Sequence, residues 1–310
     1  MGICQGRRNY MQDYYSLLLG VPNASNLNFI GIFDGHASSI AANFASNKLL
    51  PSILKHDIHR GLGVANTGVG ADIQSLANAV YEGYLDTDKE LFSYIKQLSN
   101  EQVVAESTVP HPSHHTKHSL IGGTTALCTL ITPEHIILAN AGDSRGLLIT
   151  QSYNKLSSSI NYSLFTTIDH KPNVLEEQQR IEQSGMKIYQ KTKSAVPRID
   201  GLLAVSRGLG DFHYKTISPS LLLSSSSSTF SSQSTTTAVS GCEPDIWILS
   251  RNHTEEDILF LVLGTDDIFD VITNEEIAGF ILHYYEQSQG QGADLGLCAY
   301  SIINAYHRHK

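Results

Sequence analysis

Hydrophobic and polar positions alternate along this chain in short apolar runs and longer amphipathic stretches. Residues 27–33, LNFIGIF, are apolar and rich in β-formers and stop at Asp34-Gly35, the pattern of a buried strand entering a turn. Ile40, Phe44 and Leu49 recur on or near one face and predict a helix over 37–57. Ile73, Leu76, Val80, Tyr84 and Leu91 predict a second helix over roughly 71–98, after which 106–119, ESTVPHPSHHTKHS, break the pattern as a loop. Runs at 124–131, 135–140 and 145–150 are spaced like an antiparallel meander. A strand near 162–168 and a helix at about 174–184 follow, and 202–206 and 246–249 again read as strands. The most buried-looking run, ILFLVLG at 258–264, ends at Thr265-Asp266, with helices expected at about 274–287 and 293–307.

Residues 218–240 interrupt this order. Serine and threonine fill 15 of those 23 positions without an apolar period, so the segment reads as a low-complexity surface insertion. No internal repeat is visible, and residues 1–310 are expected to form a single domain carrying that insertion.

Composition narrows the function classes. The 310 residues are 41% hydrophobic and 16% charged, as in ordinary globular proteins. A net charge of −9 with no basic stripe argues against nucleic-acid binding. The apolar runs are too short to span a bilayer, no secretory signal is visible, and no membrane association is expected. Cys4, Cys128, Cys242 and Cys298 are scattered, without a CxxC pair, which suits a reducing compartment and predicts a cytoplasmic or nuclear location.

Asp34 and Asp266 each follow a hydrophobic strand directly. Carboxylates held at the ends of rigid elements suit hard divalent cations, which take oxygen ligands in fixed geometry. His36, two residues after Asp34, is placed to donate a proton to a leaving group. A single Asp-Gly after a strand is more simply a turn signal. Other segments change that balance: GRRNYMQD (6–13), FDGH (33–36), GGTTA (122–126), NAGDSR (140–145), DHKP (169–172), RIDGLLAVSRGLGD (198–211), EPD (243–245) and GTDDIFD (264–270). The series resembles, in order and spacing, the metal-dependent PPM family of type 2C serine/threonine protein phosphatases, from Gly6 to about Tyr306.

The resemblance implies an α+β fold, a central sandwich of two antiparallel β-sheets flanked by helices. It implies two Mg2+ or Mn2+ ions in a cleft between the sheets, with a third possible. A metal-bridging water would attack the phosphorus of phosphoserine or phosphothreonine in phosphorylated protein substrates. By similarity, Asp34 bridges the metals, the Gly35 carbonyl and Asp266 each ligate one, and Asp13 acts through metal-bound water. Asp143 matches the acidic residue that helps bind a third metal, Arg8 the phosphate-binding arginine and His36 the general acid. Arg145 and Arg207 are expected to make structural pairs, and Asp211 and Lys215 to fix loops. The histidines at 111, 114, 115 and 118 read as a polar loop.

Four departures bear on activity. Gln12 stands where the family usually has Glu, losing a negative charge. Ala37 and Ser38 replace the glycines of DGHGG, although Ser38 or Ser39 can cap the helix that follows. Asp267 replaces the glycine of DGLWD, which strains the turn if that position needs a positive φ. The sequence stops at Lys310, before the family's Asp-Asn pair and final strand, so one metal ligand and the C-terminal strand are expected to be missing. The alternative to an active enzyme is a pseudophosphatase, the same fold used to bind or scaffold.

Overall fold

The structure, a computed structural model, describes residues 5, 9–22, 24–56, 72–106, 122–154, 159–193, 195–215, 241–251, 257–287, 298–299 and 301–303. Strands β1 (Tyr14–Leu18), β2 (Asn28–Phe33) and β3 (Gly35–His36) precede helices α1 (Ile40–Leu54) and α2 (Ile73–Glu106). Then come β4 (Gly123–Thr124), β5 (Ala126–Ile131), β6 (His135–Ala141), β7 (Arg145–Asn154) and β8 (Ser159–Thr166). They are followed by α3 (Leu175–Gln183), β9 (Ile188–Tyr189), β10 (Arg198–Ile199), β11 (Leu209–Gly210) and α4 (Phe212–Lys215). The last elements are β12 (Asp245–Ser250), β13 (Asp257–Gly264), α5 (Asp266–Phe269) and α6 (Asn274–Gln287).

Two antiparallel sheets dominate, in the orders β1-β2-β5-β6-β12 and β13-β7-β8. Successive side chains of a strand point to opposite faces, so one strand can serve two cores. On β6, Ile137, Ala139 and Ala141 pack under α1 and α2, whereas Ile136 and Leu138 meet Leu148 of β7 in a second core. On β7 the neighbours of Leu148, Leu147 and Ile149, turn the other way onto Phe269 of α5 and onto Ile277 and Ile281 of α6. The layers are therefore helices, sheet, sheet, helices, the α+β sandwich expected. Tyr84 of α2 is fully buried and donates its hydroxyl to Ala139 O at 2.9 Å and Ala126 O at 3.1 Å. That bond satisfies a polar tip that would otherwise be costly to bury and locks α2 across β5 and β6.

Several expected elements shift. The second helix runs on to Glu106, and the strand expected at 162–168 occupies 159–166. Residues 202–206 form no strand; only an isolated bridge links Leu203 to Ile199 there, because the apolar residues serve a small satellite core. The half-exposed edge strand β1 alternates in burial, but its residues YYSLL do not alternate apolar with polar, and the strands β3, β4 and β11, of two residues each, are too short for periodicity to reveal. The 218–240 insertion, the histidines of 111–118, Cys4, Arg8 and most of 293–307 lie outside the described residues.

Candidate metal centre and its histidine

Strand register brings the acidic residues together. In the first sheet Tyr14 opens β1 opposite Phe33, the last residue of β2, so Asp13 flanks Asp34. In the second sheet Arg145 opens β7 opposite Gly264, the last residue of β13, so the Asp143 turn flanks Asp266. Antiparallel pairing thus gathers four carboxylates from distant segments at one end of the sandwich.

The Asp34 backbone is clamped in place. Its N–H donates to Thr125 Oγ1 at 3.1 Å, and its carbonyl accepts from Thr124 Oγ1 at 3.0 Å and Thr125 N–H at 2.9 Å. Thr125 Oγ1 also pairs with Ser144 Oγ at 2.7 Å, joining β2, β4 and the Asp143 turn. At Gly35 a Cβ would come within 2.6 Å of the Gln12 carbonyl, so only glycine lets the two backbones approach this closely.

The charges oppose one another. Burial, then the charges of Asp13 and Asp266, push the Asp34 carboxyl far above the usual carboxylate range. Burial raises Asp266 as well. Burial, then the Asp266 charge, pushes Asp143 up to about 7, with Lys171 offsetting part of the effect. Among the described residues, no group of three or more His, Cys, Asp and Glu forms a metal-holding arrangement. The charges of Asp13, Asp266 and Asp143 all act on Asp34. The donor chemistry nevertheless fits a hard divalent cation, because converging buried carboxylates need either protons or a cation to offset their repulsion.

His36 Nε2 lies 2.7 Å from Asp211 Oδ2. Burial alone would lower the imidazole, but the Asp211 charge and hydrogen bond override it and hold His36 above its ordinary value. Asp211 therefore does not simply fix a loop, as the sequence suggested. No local signal announces the contact, since the two residues are 175 positions apart.

Other expectations hold in part. Arg145 grips Asp169 through Nε at 2.9 Å and Nη2 at 2.6 Å, and Arg207 grips Glu177 through Nε at 3.0 Å and Nη2 at 2.7 Å. Both are structural pairs. Lys215 bonds Asp88 and the Gly208 carbonyl at 2.7 Å each, a loop-fixing role. Ser38 Oγ, not the Ser39 hydroxyl, accepts the Ile40 N–H at 3.1 Å as α1 begins. Ala37 sits at φ 62°, while Asp267 lies in α5 without a positive φ. Asp267 therefore imposes no backbone strain on its turn.

The protein phosphatase 2C profile matches residues 2–305. The chain belongs to the protein phosphatase 2C family. Bovine protein phosphatase 1B is 28% identical over 306 residues, which cover 98% of this chain and 52% of that protein. Mouse protein phosphatase 1A is 30% identical over 278 residues, covering 89% of this chain and 59% of that protein. The chain thus spans little more than half the length of these relatives. Among solved structures, a serine-threonine phosphatase 2C from Toxoplasma gondii superposes with a TM-score of 0.67 at 17% identity, covering 96% of this chain and 86% of that one. A C. elegans sex determining protein superposes with a TM-score of 0.62 at 16% identity, covering 97% of this chain and 59% of that one. These structural likenesses show the fold. In this 2C chain no helix among the described residues is long and apolar enough to cross a membrane.

Proposed function

We propose that this chain is a Mg2+- or Mn2+-dependent protein phosphatase that hydrolyses phosphoserine and phosphothreonine in protein substrates. The observation that carries the reading is the convergence of Asp34 and Asp266, flanked by Asp13 and Asp143, with His36 two residues from Asp34. Asp34, Asp266 and the Gly35 carbonyl would hold two ions, with Asp13 and Asp143 as the outer acids. Bound, those ions would acidify water and offset charge on the phosphoryl oxygens.

The chain's own groups then divide the work. The clamp of Thr124 and Thr125 fixes the Asp34 main chain, so its carboxylate is set before substrate arrives. Water forms the new bond to phosphorus as the bond to the serine or threonine oxygen breaks. His36 supplies the proton to that oxygen, which makes an alkoxide-like leaving group acceptable. Arg8 is the residue proposed to receive the phosphate oxygens.

The test is phosphate release from a phosphothreonine peptide across a Mn2+ titration, with EDTA as control. Release that rises with Mn2+ and vanishes with EDTA supports the reading. Absence of release at saturating Mn2+, from folded protein, overturns it in favour of a pseudophosphatase that keeps the fold for binding. One observation favours that second reading: Gln12 replaces an acidic position, and its Nε2 is buried without a hydrogen-bond partner.

A further inference from the structure

We propose that Asp211 is a positioning residue for His36: it holds the imidazole by Nε2, so that the proton delivered to the leaving oxygen is the one on Nδ1. The inference rests on the phosphatase reading and deepens it. An ionised carboxylate only accepts hydrogen bonds, so at 2.7 Å from Asp211 Oδ2 the Nε2 atom must carry hydrogen. One ring nitrogen is thereby committed, and Nδ1 is left to exchange a proton with substrate. When Nδ1–H is given up as the phosphorus–oxygen bond breaks, the ring becomes neutral with its Nε2–H still on Asp211.

The surroundings are built to keep this pair. Asp211 is 6% exposed and adopts φ 50°, a left-handed conformation that aspartate and asparagine tolerate better than other non-glycine residues. Its N–H donates to the Gly122 carbonyl at 3.1 Å, and its own carbonyl accepts from the Tyr214 N–H at 2.8 Å. The miniature sheet β11-β4-β3 sets His36 opposite Gly123 and Gly123 opposite Gly210, so the histidine and the aspartate approach from either side of one glycine. A Cβ on Gly123 would come within 2.2 Å of Asp211 Oδ2, so the missing side chain is the space the carboxylate occupies. A two-residue strand adds little to stability by itself. Here three of them fix the distance between a proton donor and its holder.

Asp211→Asn tests this with little risk to folding. Asparagine matches the shape, tolerates the left-handed conformation and leaves both backbone bonds intact. Its turnover is compared on a phosphothreonine peptide, whose leaving oxygen needs a proton, and on p-nitrophenyl phosphate, whose leaving group does not. The expected result is a fall in kcat of about 10- to 100-fold on the peptide and less than about 3-fold on the nitrophenyl ester. His36→Ala should show the same selectivity, and the double variant should be no slower than His36→Ala. Equal losses on both substrates, or a further loss in the double variant, overturn the proposal.

A second readout does not depend on activity. In 15N-histidine-labelled, metal-free protein, His36 should show a slowly exchanging, downfield Nε2–H proton that is lost in Asp211→Asn. Its absence from the unmodified chain, or its persistence in the variant, overturns the positioning role. If His36→Ala slows both substrates equally while this resonance behaves as expected, the proton-donor reading fails and the holding contact stands.

Discussion

The carboxyl groups of Asp34 and Asp266, one following a strand of each large sheet, are both largely buried, and the charge of Asp266 helps to push Asp34 far above the usual carboxylate range. Two buried carboxyl groups whose charges repel in this way are eased when one keeps a proton. A divalent cation would remove the need for that proton, because it offsets both charges at once. Asp34→Asn should therefore raise the melting temperature of the metal-free protein by about 2–5 °C and abolish the further rise produced by Mn2+. Thermal unfolding with and without Mn2+ checks this. An undiminished Mn2+ response in the variant would remove Asp34 from the ligand set.

Gln12 makes the opposite experiment possible. Its Nε2 is buried without a partner, an arrangement that costs about 1–3 kcal/mol. Gln12→Glu replaces that donor with an oxygen and adds a charge to a cluster already crowded with them. The metal-free variant should be less stable, and its Mn2+ affinity tighter by roughly 10-fold, because site affinity follows ligand charge. Calorimetric titration reads the affinity. An unchanged or weaker Kd would place Gln12 outside the metal centre and leave its charge loss without functional meaning.

Ala37 occupies a backbone conformation suited to glycine, with φ 62° immediately after His36. The left-handed region disfavours a Cβ by about 1–2 kcal/mol, and glycine gives back part of that through its freer unfolded chain. Ala37→Gly should thus stabilise the protein by about 1 kcal/mol in urea unfolding, with an unchanged m-value. A destabilised variant would show that the Ala37 methyl makes a contact worth more than its strain.

The sandwich was legible in the sequence where burial leaves a period. LNFIGIF and ILFLVLG are long enough to reveal β2 and most of β13, and their ends point to Asp34 and Asp266. What sequence could not show is which strand end lies beside which. That depends on register: Tyr14 opposite Phe33 puts Asp13 beside Asp34, and Arg145 opposite Gly264 puts Asp143 beside Asp266. Asp211 was hidden for a similar reason, since β3, β4 and β11 carry two residues each and no pattern of two residues can be periodic. The 202–206 segment misled in the other direction, because Leu203 and Val205 are apolar for a small side core and not for a sheet.

Glu177 offers a prediction away from the acidic cluster. It is nearly fully buried on α3, where Arg180 donates at 2.5 Å and Arg207 at 2.7 Å. Arg207 continues to Asp245 at 2.8 Å, and Asp245 to His170 Nε2 at 3.1 Å. His170 Nδ1 accepts the Gly142 N–H at 3.1 Å, so the chain of contacts ends in the turn that carries Asp143. Burial by itself would raise the Glu177 carboxyl; hydrogen bonds, with Arg207 first, override it and push the group from 4.5 down to about 2. A depressed carboxylate stabilises the fold above its unfolded value and loses that contribution as pH falls through its folded value. The window here is pH 4.5 down to about 2, and the contribution above it is on the order of 3 kcal/mol. Glu177→Gln should therefore be less stable than the unmodified chain by about that amount at pH 7, with the difference closing as pH approaches 2. Urea unfolding at stepped pH measures both. A gap that stays constant down to pH 2 would mean that Glu177 acts through packing and not through its charge on Arg207.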